Sequence, residues 1–156
     1  MPGSLTLDLR IPSELQHIEG VVEEVLRGCA DRAVDVRALG IKFKVALTEA
    51  LSNAIICGNG EDARKEVRVR VDVRDDALVV EIEDEGQGFD LEACTDDPTT
   101  PENLEREDGR GLFLMRALVD RVENFRVRGR AHGHIVRLTL RRPGPPGPPG
   151  HPGHAA

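Results

Sequence analysis

In the stretch TEALSNAIICGNG, Glu49 and Asn53 stand one helical turn apart among Ala, Leu and Ile. A carboxylate can take a proton from a hydroxyl or orient a water, and a neutral carboxamide oxygen is a hard ligand of the kind Mg²⁺ accepts. Alone the pair says little, because a Glu on a helix is usually solvated. A second element is Asp84-x-Gly86-x-Gly88 in DEGQG, at the end of an apolar run. Asp and Gly dominate tight turns for backbone reasons. The functional alternative is a carboxylate that accepts a hydrogen bond from an exocyclic amine such as that of adenine, while the glycines let backbone approach a flat ligand. Guanine, with a carbonyl at that position, would be disfavoured. The third element is Gly109-x-Gly111 in DGRGLFLM. A helix opening there offers unpaired amides and a positive dipole end to phosphate, and Arg110 and Arg106 can add charge-assisted bonds. Neither GxxxxGK[ST] nor a strand-linked GxGxxG occurs, which excludes a P-loop and a Rossmann site.

The elements that must position these residues can be read from hydrophobic period. LTLDLR, residues 5 to 10, alternates as a half-buried strand does. Ser13 with Gln16 forms a capping-box pattern, and Leu15, Ile18, Val22, Val25, Leu26 and Cys29 recur at helical spacing up to about Ala30. A second helix is expected over residues 38 to 57, ending at GNG. On it Leu47, Leu51, Ala54 and Ile55 fall opposite Glu49, whereas Asn53 lies only about 40° from Glu49, so the two polar groups share a face. EVRVRVDVR and ALVVEIEDEG, joined at Asp75 and Asp76, read as a hairpin. Residues 89 to 108 are acidic and rich in Thr and Pro, the composition of a long, lid-like loop. A third helix is expected from Gly111, burying Leu112, Met115, Leu118, Val119 and Val122. NFRVRG and HIVRLTL then close the chain as strands, with Ile135, Leu138 and Leu140 expected against the core. The order predicts an α+β fold: a two-layer sandwich with a mixed, mostly antiparallel sheet and helices on one face. Residues 1–142 are expected to form one domain, and the Pro/Gly-rich tail, 143–156, to stay disordered.

Composition narrows the function further. With 156 residues the chain can bury a two-layer core without disulfides. Its net charge of -7 opposes sequence-independent attraction to nucleic acid, and 3% aromatic content supplies no platform for stacking bases. Three cysteines without CxxC spacing suggest neither a disulfide framework nor a zinc site. No apolar run approaches the roughly 20 residues that span a bilayer. No membrane association and a cytoplasmic location are the expectations.

Together, in this order and with a lid-like segment between the second and third, the three elements resemble the N, G1 and G2 boxes of the Bergerat-fold (GHKL, histidine-kinase-like) ATPases. TEALSNAIICGN, DEGQGFD, DPTTPENL and GRGLFLMRALVDRVE more narrowly resemble the stand-alone anti-sigma-factor serine/threonine kinases, over residues 5 to 142. The resemblance implies ATP/ADP and Mg²⁺ as cofactors, with Asn53 on the metal, Asp84 on the adenine amine, and Gly86 and Gly88 shaping the base pocket. It further implies that Gly109, Gly111 and the nearby Arg106 and Arg110 wrap the phosphates, and that Glu49 is the catalytic base. The implied partners are a sigma factor and a small anti-anti-sigma (STAS-type) protein, and the implied working unit is a homodimer. A non-catalytic, ATP-gated protein-binding regulator of the same fold is the alternative. Two positions depart from the family pattern: Cys57 stands where His is frequent, and Gly133-His134 where Gly-Thr is usual. Cys57 is expected to pack as a small apolar residue.

Overall fold

A computed structural model describes residues 5–32, 36–86, 115–129 and 132–142. Five strands form one sheet: β1 (Leu5–Pro12), β2 (Glu66–Val73), β3 (Ala77–Asp84), β4 (Arg121–Arg126) and β5 (His134–Arg141). Their order is β1-β2-β3-β5-β4, and each neighbouring pair is antiparallel. The last strand therefore lies between β3 and β4. Helices α1 (Ile18–Asp31) and α2 (Val36–Asn53) supply the second layer. The architecture is the expected α+β sandwich, with purely antiparallel pairing among the described residues.

Period 2 explains the sheet. Val67, Val69 and Val71 of β2 and Leu78, Val80 and Ile82 of β3 are buried towards the helices. Each such side chain contributes about 1.5–3 kcal/mol through loss of water-exposed apolar surface. Intervening positions build a charged outer face: Arg68 meets Asp8, Arg70 meets Glu81 at 3.3 Å, and Arg137 meets Glu81 at 2.7 Å while its guanidinium lies 4.5 Å from the Phe125 ring centre. The tight turn at Asp75 and Asp76 closes with Arg74 N–H donating to the Ala77 carbonyl at 2.8 Å.

The helical layer answers the same core. Val22, Val25 and Cys29 of α1 and Phe43, Leu47 and Leu51 of α2 are buried in it. Burial pushes the Cys29 thiol up to about 11, so it packs as a neutral small hydrophobe. Gly40, at φ 64 and ψ -164, interrupts α2, and the uninterrupted stretch runs from Ile41 towards the site.

Several expectations fail for long-range reasons. Ser13 and Gln16 form no capping box: Ser13 Oγ donates to the Lys65 carbonyl 52 positions away, and Gln16 Nε2 donates to Glu14. A 3-10 turn, Leu15–His17, precedes α1 instead and leaves Leu15 44% exposed. Val122 belongs to β4 rather than to the third helix, whose described part is the turn 115–118 with Met115 buried. The inward set of β5 is Val136, Leu138 and Leu140, whereas Ile135 lies opposite Phe125 on the outer face, because the strand alternates strictly. Among the described residues, no helix is long and apolar enough to cross a membrane.

Candidate functional site

Helix α2 and the turn that continues it bury Leu47, Leu51, Ala54 and Ile55, as the amphipathic pattern requires. Glu49 is half-buried, and Asn53, one turn on, is 6% exposed. The Asn53 amide nitrogen Nδ2 has no hydrogen-bond partner although it is buried. Such a group costs about 1–3 kcal/mol if nothing satisfies it, so its retention calls for an explanation.

After Asn53 the helix widens into a π turn, Ala54–Gly58, closed by Asn59 N–H donating to the Ala54 carbonyl at 2.9 Å. Single π turns recur at functional sites, and each redirects the chain beyond it. Here the turn lays Gly58 on Asp84. A Cβ on Gly58 would overlap the Asp84 carboxyl group, and a Cβ on Gly86 would overlap the Gly58 carbonyl. Gly58 is thus in close contact with Asp84 and Gly86, both far along the chain, only because the two glycines lack side chains. Sequence alone assigns the GNG glycines to the helix exit. The structure divides the work: Gly60 takes the left-handed conformation, φ 62, and Gly58 provides the close approach.

Asp84 ends β3 and is 1% exposed. Its Oδ1 accepts from Gly86 N–H at 2.8 Å, whereas its Oδ2 accepts no hydrogen bond and has His134 Nδ1 at 3.6 Å. Across the turn, Gly133 N–H donates to the Gly86 carbonyl at 2.8 Å, and Gly133 has φ 128, a conformation that L side chains rarely adopt. These groups border a cavity of about 450 Å³, floored by Gly58, Asp84, Gly86 and Gly133 and rimmed by Lys65 and His132.

Asn59 secures the corner. It is 3% exposed, its Oδ1 accepts from Glu85 N–H at 2.7 Å, and its Nδ2 donates to Ser13 Oγ at 2.8 Å and to the Glu66 carbonyl at 3.1 Å. One side chain thereby ties the end of β1, the start of β2 and the end of β3 to the helix exit. Asn59, Gly58 and the Ser13 link do not stand out as site residues from sequence. Their only signal is the glycine-flanked Asn itself, which reads equally well as turn chemistry.

The structure packs the π turn that follows Asn53, through Gly58, against Asp84 and Gly86. Gly88, Arg106, Gly109, Arg110 and Gly111 lie outside the described residues, as do the lid-like segment and the tail. Cys57 is exposed rather than packed, because the π turn rolls it away from the core that holds Ile55. Among the described residues there is no cluster of three or more His, Cys, Asp or Glu that could hold a metal.

What the arrangement offers chemically is a buried carboxylate and close-packed glycine backbone beside a cavity, with an amide and a carboxylate one turn apart on α2. Comparison with known proteins gives the family. Serine-protein kinase RsbW of Bacillus subtilis (strain 168) is 32% identical over 121 residues, covering 74% of this chain and 75% of that protein. The protein of the same name from Bacillus velezensis is 33% identical over 122 residues, 75% of this chain and 76% of its own. That from Oceanobacillus iheyensis is 30% identical over 122 residues, 75% and 77%. Residues 11–140 match the family described as Histidine kinase-like ATPase domain, and the chain belongs to that family.

Proposed function

We propose that the protein is an ATP-dependent serine/threonine-protein kinase that also acts as an anti-sigma factor: it transfers the γ-phosphate to a small STAS-type antagonist and sequesters a sigma factor. The observation that carries the nucleotide reading is the Gly58–Asp84–Gly86 corner with its orphaned polar atoms. The family match and the kinases among its relatives carry the activity.

In this reading Asp84 Oδ2 takes the adenine amine, and Gly86 and Gly88 flank the ring. Asn53 would hold Mg²⁺ through its amide oxygen, the neutral hard ligand that suits a cation already carried by phosphates. Held there, Mg²⁺ would supply charge neutralisation to the phosphates. Glu49, one turn before Asn53, accepts the proton of the attacking hydroxyl and aligns it. Phosphoryl transfer depends chiefly on positioning and electrostatics, so alignment is the larger part of that role. Gly109, Gly111, Arg106 and Arg110 close over the phosphates. The working unit is a cytoplasmic homodimer of the domain 1–142, and 143–156 is an inert extension.

The test is transfer of γ-labelled phosphate to a candidate STAS-type protein, with ADP affinity measured in parallel. Label transfer that Glu49→Ala abolishes while ADP still binds is the expected result. A wild-type protein that transfers nothing yet retains a partner only with ATP would be a gated binding module instead.

A further inference from the structure

His134 is the first residue of β5, and strand register fixes its neighbours: Asp84 of β3 lies opposite it on one side and Arg126 of β4 on the other. It is 3% exposed. Register therefore places Asp84, His134 and Arg126 in a row across the sheet, with Asp84 bordering the cavity, and an imidazole is the kind of side chain that changes charge between pH 5 and 8. Its Nδ1 stands 3.6 Å from Asp84 Oδ2, beyond hydrogen-bond length but in ion-pair range. The same Oδ2 accepts no hydrogen bond, its sister oxygen being engaged by Gly86 N–H.

We infer that His134 is a positioning and specificity residue of the base pocket, which when protonated takes Asp84 Oδ2 for itself and thereby competes with the exocyclic amine of the bound base. The inference rests on the assignment of Asp84 to an adenine amine. A neutral imidazole carries one N–H and leaves the carboxylate in place. An imidazolium carries two and is drawn about 0.8 Å closer, from 3.6 Å into a charge-assisted bond. An amine-bearing purine then loses its acceptor, whereas a purine with a carbonyl at the same position has none to lose.

The other described charged and titratable groups at this corner lie at its rim or beyond. His132 and Glu85 are exposed and Lys65 is half-buried at the cavity. Arg126 is exposed on β4, and the π turn that packs on Asp84 contributes the exposed Cys57. Among the described residues, only His134 combines burial with register next to Asp84.

The experiment compares ADP with inosine diphosphate, which has the same phosphates but a carbonyl in place of the amine, so that phosphate titration cancels in the affinity ratio. The wild-type preference for ADP should fall about tenfold between about pH 8 and about pH 5.5, as expected when one hydrogen bond to a charged group is lost. His134→Asn and His134→Gln, checked for native melting, should hold a constant ratio over that window. His132→Gln should keep the wild-type slope. A wild-type ratio that does not move with pH overturns the inference, as does a slope that survives in the His134 variants or vanishes with His132→Gln. A protein that binds neither diphosphate at about pH 8 overturns the assignment of Asp84 as well, a result distinct from binding without pH dependence.

Discussion

Asn53 and Asn59 are buried carboxamides six positions apart, and they are treated oppositely by the fold. Asn59 spends its oxygen on Glu85 N–H and its nitrogen on Ser13 and the Glu66 carbonyl. Asn53 leaves its nitrogen without a partner at the end of a helix whose other face is all core. The π turn between them is where architecture gives way to chemistry. A polar group that the fold satisfies holds the fold, and one that it buries without satisfying is held for something else.

That contrast can be broken experimentally. The largest effect on stability is expected from Asn59→Ala, which strands Glu85 N–H and unties Ser13 and β2: about 3 kcal/mol, read by denaturant unfolding. A loss under about 1 kcal/mol would show that solvent replaces the bonds and that Asn59 is no hub. Next comes Gly58→Ala, whose Cβ must displace the Asp84 carboxylate, for about 2 kcal/mol together with a marked drop in ADP affinity. If affinity is unchanged, Asp84 does not meet the base. Smallest in stability is Asn53→Ala, expected within about 1 kcal/mol of wild type because it removes an orphan rather than a bond. Its Mg²⁺-dependent gain in ATP affinity should nevertheless disappear. Equal destabilisation by Asn53→Ala and Asn59→Ala would erase the distinction.

The features legible in sequence are those with a short period. The Val67, Val69, Val71 alternation and the Asp75–Asp76 turn need no tertiary information, and neither does the shared face of Glu49 and Asn53. What escapes depends on partners far along the chain. Ser13 has the local pattern of a cap, yet Lys65 and Asn59 claim its hydroxyl across 52 and 46 positions. Val122 fits a helical stripe and a strand equally well until β5 pairs with it through Leu138. Gly58 looks like punctuation, because no periodicity reports that a carboxylate 26 positions later needs the space its side chain would fill. Asp84 itself is found through its glycines, and its buried neighbour His134 only through register.

Strand order carries a consequence for biosynthesis. Of the described strands β5 is the last to leave the ribosome, yet it sits inside the sheet, and β4 has no other neighbour among the described residues. A nascent chain can assemble β1, β2 and β3, but Arg121–Arg126 must wait for His134–Arg141 before it has anything to pair with. The wall beside Asp84 is then laid in the same late event. Translation that stalls before that point yields a fragment with an open edge on β3 and no finished pocket, prone to stick to other chains rather than to serve them.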